Sequence, residues 1–281
     1  EKAGAVCEML AALQTQGEAE FVAGCNAVAA KILQQGSVLV EKSPAMAFVL
    51  SEFSLCVTTT YPQVLPHLER HFRATCSYAV PHYVRRPTGA SNSDWAQLMG
   101  YAKRSNGFEK KESYYNRMGA LVYFYASVCA ADTLPHMSGD GQRMEQQRVE
   151  PRGAGVAWAW LARLLNQKPQ NITSTLLLSF LKPSAHMLSR RYRRQFPKLL
   201  LYIRETYMPR LAELADRAQG SDTAGAGGAE ERAALAVLRV WLDSAIASLS
   251  AGSVLPPPEE TFIPDYKAPD DTSTAGGGDD F

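Results

Sequence analysis

Between Trp158 and Leu214 the apolar residues recur at helical spacing, and the pattern is interrupted only by short breaks. Phe196, Leu199, Leu200, Ile203, Tyr207, Leu211 and Leu214 keep one stripe of a helix apolar over five turns. Such a helix cannot bury its stripe alone and needs neighbouring helices to cover it. No segment of the chain shows convincing two-residue alternation, so the expected fold is all-α. About ten helices with short connections predict an irregular stack of helical hairpins. No exact internal repeat is visible, which excludes a regular solenoid.

Earlier helices are predicted over residues 3–15, 18–40, 45–57 and from Tyr61-Pro62 to about Thr75. Residues 76–93 read as irregular because of Pro81, Pro87 and Gly89, and Asp94 reads as the N-cap of a short helix toward Tyr101. Lys103–Lys111 reads as a polar loop, followed by a strong helix over 113–131. Later helices are expected over 155–165, over 173–181 capped by Asn171 or Thr173, over 184–194, and over 198–214 with a continuation or kink at Pro197. A last one spans 230–249. The predicted domain is residues 1–251, with flexible insertions at about 132–152 and 219–228. Residues 252–281 form an acidic Pro/Gly-rich tail, disordered or extended over the body.

Charge is unevenly placed. The net charge is +1, but seven of the 28 acids and one of the 29 bases lie from Gly252 onward, leaving the body at +7. A moderately basic body suits an anionic ligand or an acidic partner but is too weak a signal to claim nucleic-acid binding, so no direct sequence-specific nucleic-acid partner is expected. No apolar run reads as long enough to cross a bilayer. The opening residues Glu1–Gly4 do not form a signal peptide and read as the edge of a longer protein. Five scattered cysteines, none spaced as CxxC, argue against a disulfide framework or zinc module and for small core residues in a reducing compartment.

The motifs of nucleotide binding, serine hydrolysis and zinc proteolysis are absent from the sequence, and few carboxylates fall at positions that read as buried. A binding protein rather than an enzyme is expected. His67 and His71 have the i, i+4 spacing of a metal pair, but no Asp or Cys joins them and a solvated helix face explains them. Asn171-Ile172-Thr173 matches a glycosylation acceptor and reads as a helix cap. Trp158 and Trp160 read as core, with an aromatic stacking surface as the alternative. Arg190, Arg191, Arg193 and Arg194 cluster around Tyr192, either as a site for an acidic or phosphate partner or as a solvated helix face.

Residues 156–181, VAWAWLARLLNQKPQNITSTLLLSFL, resemble the most characteristic stretch of the C-terminal domain of the mRNA-export nucleoporin Gle-one (GLFG-lethal factor) family. The shared patterns are W-x-x-L-A-x-x-x-N and T-x-T-x-x-x-x-F-L. AVAAKIL (27–33), AFVLSEF (47–53), YPQVLPHLERHFRATCSYAVP (61–81), LMGYAKR with YYNRMGALVYFYASV (98–104, 114–128) and QFPKLLLYIRETYMPRL (195–211) follow in the family's order.

The resemblance implies a HEAT-like helical domain similar to the middle domain of translation-initiation scaffolds. It implies a non-enzymatic activator of a DEAD-box RNA-export ATPase at the cytoplasmic face of the nuclear pore, with presence also in nucleus and cytoplasm. Inositol hexakisphosphate is the implied tether, and a Phe-Gly nucleoporin a further partner. The alternative is a structural pore scaffold that does not stimulate an ATPase. Of the family's phosphate-binding positions, Lys31 matches a lysine and Gln35 stands where some members have histidine. Ala74 and Thr75 replace a frequent lysine pair, so Arg70 and Arg73 are the residues that could supply charge there. The Arg190–Arg194 cluster is the candidate partner surface.

Overall fold

The computed structural model describes residues 2–83, 85–133, 136–137, 143–144, 153–220 and 228–261. Eleven α-helices carry the fold among them. The first four are α1 (Lys2–Gln16), α2 (Glu18–Lys42), α3 (Met46–Thr60) and α4 (Val64–Thr75). Next come α5 (Asn92–Leu98) and α6 (Lys111–Ala130), then α7 (Ala154–Leu165) and α8 (Thr173–Arg191). The last three are α9 (Gln195–Tyr202), α10 (Met208–Gly220) and α11 (Ala229–Ser250). The tightest pairings join helices that are not neighbours in sequence, α6 with α8 and α2 with α4.

Helix α6 is the axis of the core. Phe124 is fully buried, 5.3 Å from the Phe72 ring of α4, and faces Gly36 of α2, where a Cβ would overlap its ring. Glycine is needed here for close helix approach, not for backbone freedom. Trp160 of α7 stacks flat on Phe180 of α8 at 3.9 Å, and its indole N–H donates to the Tyr78 carbonyl at 2.8 Å. Trp158 is half-buried and packs against the core.

Several boundaries differ from expectation. Ser91, not Asp94, caps α5: its hydroxyl accepts the Asp94 N–H at 3.1 Å and donates to Asp94 Oδ2 at 2.7 Å. Thr173 does not cap α8. It is fully buried, and its hydroxyl oxygen accepts the Gln170 N–H at 2.8 Å and bonds the Tyr83 hydroxyl at 2.6 Å. The break expected between 181 and 184 is absent, because α8 runs through Pro183. A proline there withholds the N–H that would meet the Ser179 carbonyl, yet Pro183 is buried and adds apolar contact.

A wide π-helical turn, Ile203–Tyr207, joins α9 to α10, with the Met208 N–H donating to the Ile203 carbonyl. Pro209 has no N–H for the carbonyl four residues back, and the wider turn accommodates that loss.

Residues 103–111 are not a plain loop. Strands β1 (Lys103–Arg104) and β2 (Gly107–Phe108) pair antiparallel. A second two-residue pair, β3 (His136–Met137) with β4 (Arg143–Met144), lies in the expected insertion; the rest of 134–152 lies outside the described residues. Gln219 and Gly220, expected in a linker, belong to α10, and residues 221–227 are likewise outside.

By length and composition α11 could cross a membrane, contrary to the sequence reading. Its Leu235, Leu238, Leu242 and Ala245 are buried, and it packs on α8, α9 and α10. Beyond α11 the chain crosses α8: Leu255 is buried, its N–H donates to Ser189 Oγ at 3.3 Å, and its carbonyl oxygen lies 2.7 Å from His186 Nδ1. Residues 262–281 lie outside the described residues.

Candidate ligand and partner surfaces

The two halves of the candidate phosphate site sit on α2 and α4. Lys31 is exposed, with Nζ donating to Gln34 Oε1 at 3.3 Å, and Gln35 is half-buried. Arg70 reaches across from α4, donating from Nη2 to Asn26 Oδ1 at 2.6 Å. The same Asn26 oxygen lies 2.9 Å from His71 Nε2. Arg73 is exposed and pairs with Glu69 one turn earlier at 3.1 Å.

At 100° per residue, Lys31 lies about 140° and Gln35 about 180° round the α2 axis from Asn26. The Arg70 bridge and the Lys31–Gln35 pair therefore occupy opposite flanks of α2. The structure does not join the four side chains into one bonded set. His71 is committed to Asn26. Among the described residues no group of three His, Cys, Asp or Glu side chains is arranged to hold a metal.

The arginine cluster lies at the corner where α8 turns into α9. Arg190 and Arg191 end α8, Arg193 and Arg194 form the turn, and all four are exposed. Tyr192 packs on Trp158 of α7 with ring centroids 4.6 Å apart, and the Arg191 guanidinium stands 5.6 Å over the Tyr192 ring. Both aromatic residues are half-buried. Among the described residues no carboxylate pairs with Arg190, Arg193 or Arg194.

A wider signal in the sequence surrounds this cluster. Residues 151–204 contain ten Lys and Arg and no Asp or Glu. The whole positive surplus of the body resides there, and the rest of the body is net acidic.

A third feature is an apolar groove of about 210 Å³ between α3, α4, α6 and α7. Leu55, Leu65, Phe72, Tyr125, Val128 and Val156 line it together with Glu69 and Asp132.

Sequence reasoning missed the buried carboxylates. Glu109 is buried and accepts from Ala102 N–H at 2.8 Å, Arg117 Nε at 3.2 Å and Arg117 Nη2. Burial pushes its carboxyl up, but the bond and charge of Arg117 with the Ala102 amide outweigh that and hold it below the ordinary glutamate value. Glu231 is also buried, paired with Lys111 and accepting from the Tyr115 hydroxyl at 3.3 Å. Asp132 is a third. The partners stand eight residues away in α6 for Glu109 and more than a hundred away for Glu231, so only Glu109 with Arg117 offered even a weak local signal. These clasps tie the β1–β2 hairpin and α11 to α6 and lie apart from the exposed arginines.

A family model described as GLE1-like protein matches residues 2–204. The mRNA export factor GLE1 of Danio rerio is 30% identical over 184 residues, which is 65% of this chain and 25% of that protein. The Rattus norvegicus protein of the same name is 28% identical over 193 residues, 68% of this chain and 26% of its own length. The chain thus spans about a quarter of the length of these curated relatives. Among solved structures, a complex of a variant S. cerevisiae Dbp5 C-terminal domain bound to Gle1 and IP6 matches with a TM-score of 0.65 at 18% identity. That match covers 87% of this chain and 76% of the matched one. A second complex of the same components, with a variant Gle1, matches at 0.66 over 90% of this chain and 76% of the matched one, also at 18% identity.

Proposed function

The chain belongs to the GLE1-like protein family, and on that premise we propose that it binds a DEAD-box ATPase of RNA export and stimulates its cycle. The observation that carries this reading is the family match over residues 2–204, which takes in α1 to α9. The fold likeness to chains solved with Dbp5 and IP6 supports it. A rigid helical body acts on such an ATPase by binding one arrangement of its two lobes better than another, and shifts the populations by that difference. The chain performs no chemistry of its own in this scheme. It works at the nuclear pore, on its cytoplasmic face.

Inositol hexakisphosphate is the proposed tether between the two proteins. Its dense negative charge calls for several cations, and a tether draws them from both of the proteins it joins. Lys31 and Gln35 offer one charge and one amide from one flank of α2, and Arg70 and Arg73 offer guanidinium groups on the α4 side. The proposed further partner is a Phe-Gly nucleoporin, and the groove between α3, α4, α6 and α7 supplies an apolar seat for a phenylalanine ring.

The test is steady-state, RNA-stimulated turnover of the cognate ATPase with increasing amounts of this chain, with and without inositol hexakisphosphate. Turnover should rise, and rise further with the inositol phosphate. No change at any concentration would leave only a scaffolding role. Lys31→Ala and Arg73→Ala, singly and together, should weaken the inositol-phosphate-dependent part alone. Unchanged calorimetric binding in the double variant would move the pocket elsewhere.

A further inference from the structure

We propose that the α8–α9 corner is a sequence-independent binding site for single-stranded RNA, built from Arg190, Arg191, Arg193 and Arg194 with Tyr192 and Trp158. Helix stability does not account for the cluster. Arg190 and Arg191 sit at the C-terminal end of α8, where a cation offsets the helix dipole. Arg193 and Arg194 instead precede α9, at the positive end of its dipole, where a cation is disfavoured unless an anion joins it.

The chemistry of the corner selects nucleic acid over an acidic protein segment. Arginine presents a planar fork that meets phosphate oxygens two at a time. The corner also carries two half-buried aromatic rings, packed together at 4.6 Å with a guanidinium over one of them. Acidic side chains need only the charges. Unpaired bases also use the ring faces, each stacked base contributing through its π-face regardless of identity. The surrounding 54 residues, 151–204, contain no carboxylate to repel a phosphate backbone. The site is a property of this chain alone and does not rest on the ATPase reading.

The experiment is fluorescence anisotropy of the 281-residue chain, without any ATPase, against a fluorescein-labelled 12-nucleotide oligo(U). Four phosphate contacts on a single strand give a slope of about −2.8 in log affinity against log salt, so affinity should fall roughly 50-fold between 50 and 200 mM salt. Arg193→Glu/Arg194→Glu, at exposed positions, should abolish at least half of that slope and weaken binding more than tenfold at 50 mM. Trp158→Ala should weaken binding about fivefold or more at an unchanged slope, with thermal melts reporting that the variants remain folded. Binding of the double variant equal to that of the unaltered chain overturns the proposal, as does absence of binding at 50 mM salt. Displacement of oligo(U) by a poly-glutamate of equal charge at equal affinity also overturns it, and assigns the corner to an acidic protein partner.

Discussion

Replacing Arg117 with methionine tests the clasp that fastens the β1–β2 hairpin to α6. Arg117 provides two of the three donors that satisfy Glu109, whose side chain is 2% exposed, and its Nη2 also donates to the Gly100 carbonyl at 2.8 Å. Arg117→Met keeps most of the aliphatic stem and removes the charge. Glu109 is left with the Ala102 amide alone, and Gly100 loses its partner. Breaking a buried pair from one side costs about 3–5 kcal/mol. Because the Arg117 side chain is 20% exposed, water can reach part of the gap, which places the expected loss near the lower end, about 3 kcal/mol. Glu109→Gln/Arg117→Met removes both charges while retaining an acceptor for Ala102, and should lose only about 1–2 kcal/mol. Urea unfolding of the unaltered chain, Glu109→Gln, Arg117→Met and the double variant, followed by far-ultraviolet circular dichroism, gives the coupling energy directly.

The pH dependence supplies a second readout with a fixed sign. In the unaltered chain the folded Glu109 pKa lies below the unfolded value, so its contribution is complete above the unfolded pKa, about 4.3. That contribution is lost as pH falls through the folded pKa. Without Arg117, burial acts unopposed and raises the carboxyl. The penalty is then largest near pH 7 and is relieved as the buried group takes up a proton. The loss caused by Arg117→Met should therefore shrink steadily from pH 7 to pH 4. A loss under about 1 kcal/mol at pH 7 that does not change down to pH 4 would refute the clasp.

Gly36→Ala should lower the melting temperature, because the gain of about 1 kcal/mol in helix propensity is outweighed by about 1–3 kcal/mol of overpacking against Phe124. Gly155→Ala, with no atom within 4 Å of its Cβ position, should raise it. Trp160→Phe should cost about 1–3 kcal/mol in urea unfolding by leaving the buried Tyr78 carbonyl without its donor. Burial pushes the Cys76 thiol up to about 11 and Cys129 to about 12. With a thiol-reactive chromogen at pH 8, exposed Cys56 should react in the native protein, and Cys76 and Cys129 only after denaturant is added.

Helix periodicity was legible wherever one face alone is buried. Residues 18–40 and 230–249 were read within two residues of α2 and α11. Prolines were read less well, because their effect depends on tertiary context. Pro183 lies in the gap between the expected helices 173–181 and 184–194, yet α8 runs through it with the proline buried. Pro209 suggested nothing, yet it accompanies the widened turn between α9 and α10. The polar character of 103–111 concealed Glu109, since a carboxylate looks solvated until its partner on another element is known. The candidate phosphate residues show the same limit. Sequence could set Lys31 and Gln35 beside Arg70 and Arg73, but only packing reveals which flank of α2 meets α4.

The placement of acids explains why the α8–α9 corner stands out electrostatically. Ion pairs among the described residues include Glu69 with Arg73, Glu109 with Arg117, Glu213 with Arg217, Glu231 with Lys111 and Asp243 with Arg204. Four of these five use cations from outside residues 151–204, and Arg204 is the cation of that segment among them. Among the described residues no carboxylate pairs with Arg190, Arg193 or Arg194. A chain selected only for a stable helical stack would gain by interspersing glutamates among these arginines, as α10 does with Glu213 and Arg217 one turn apart. Their absence over 54 consecutive residues is what a polyanionic partner requires, since each added carboxylate would oppose the phosphates at close range.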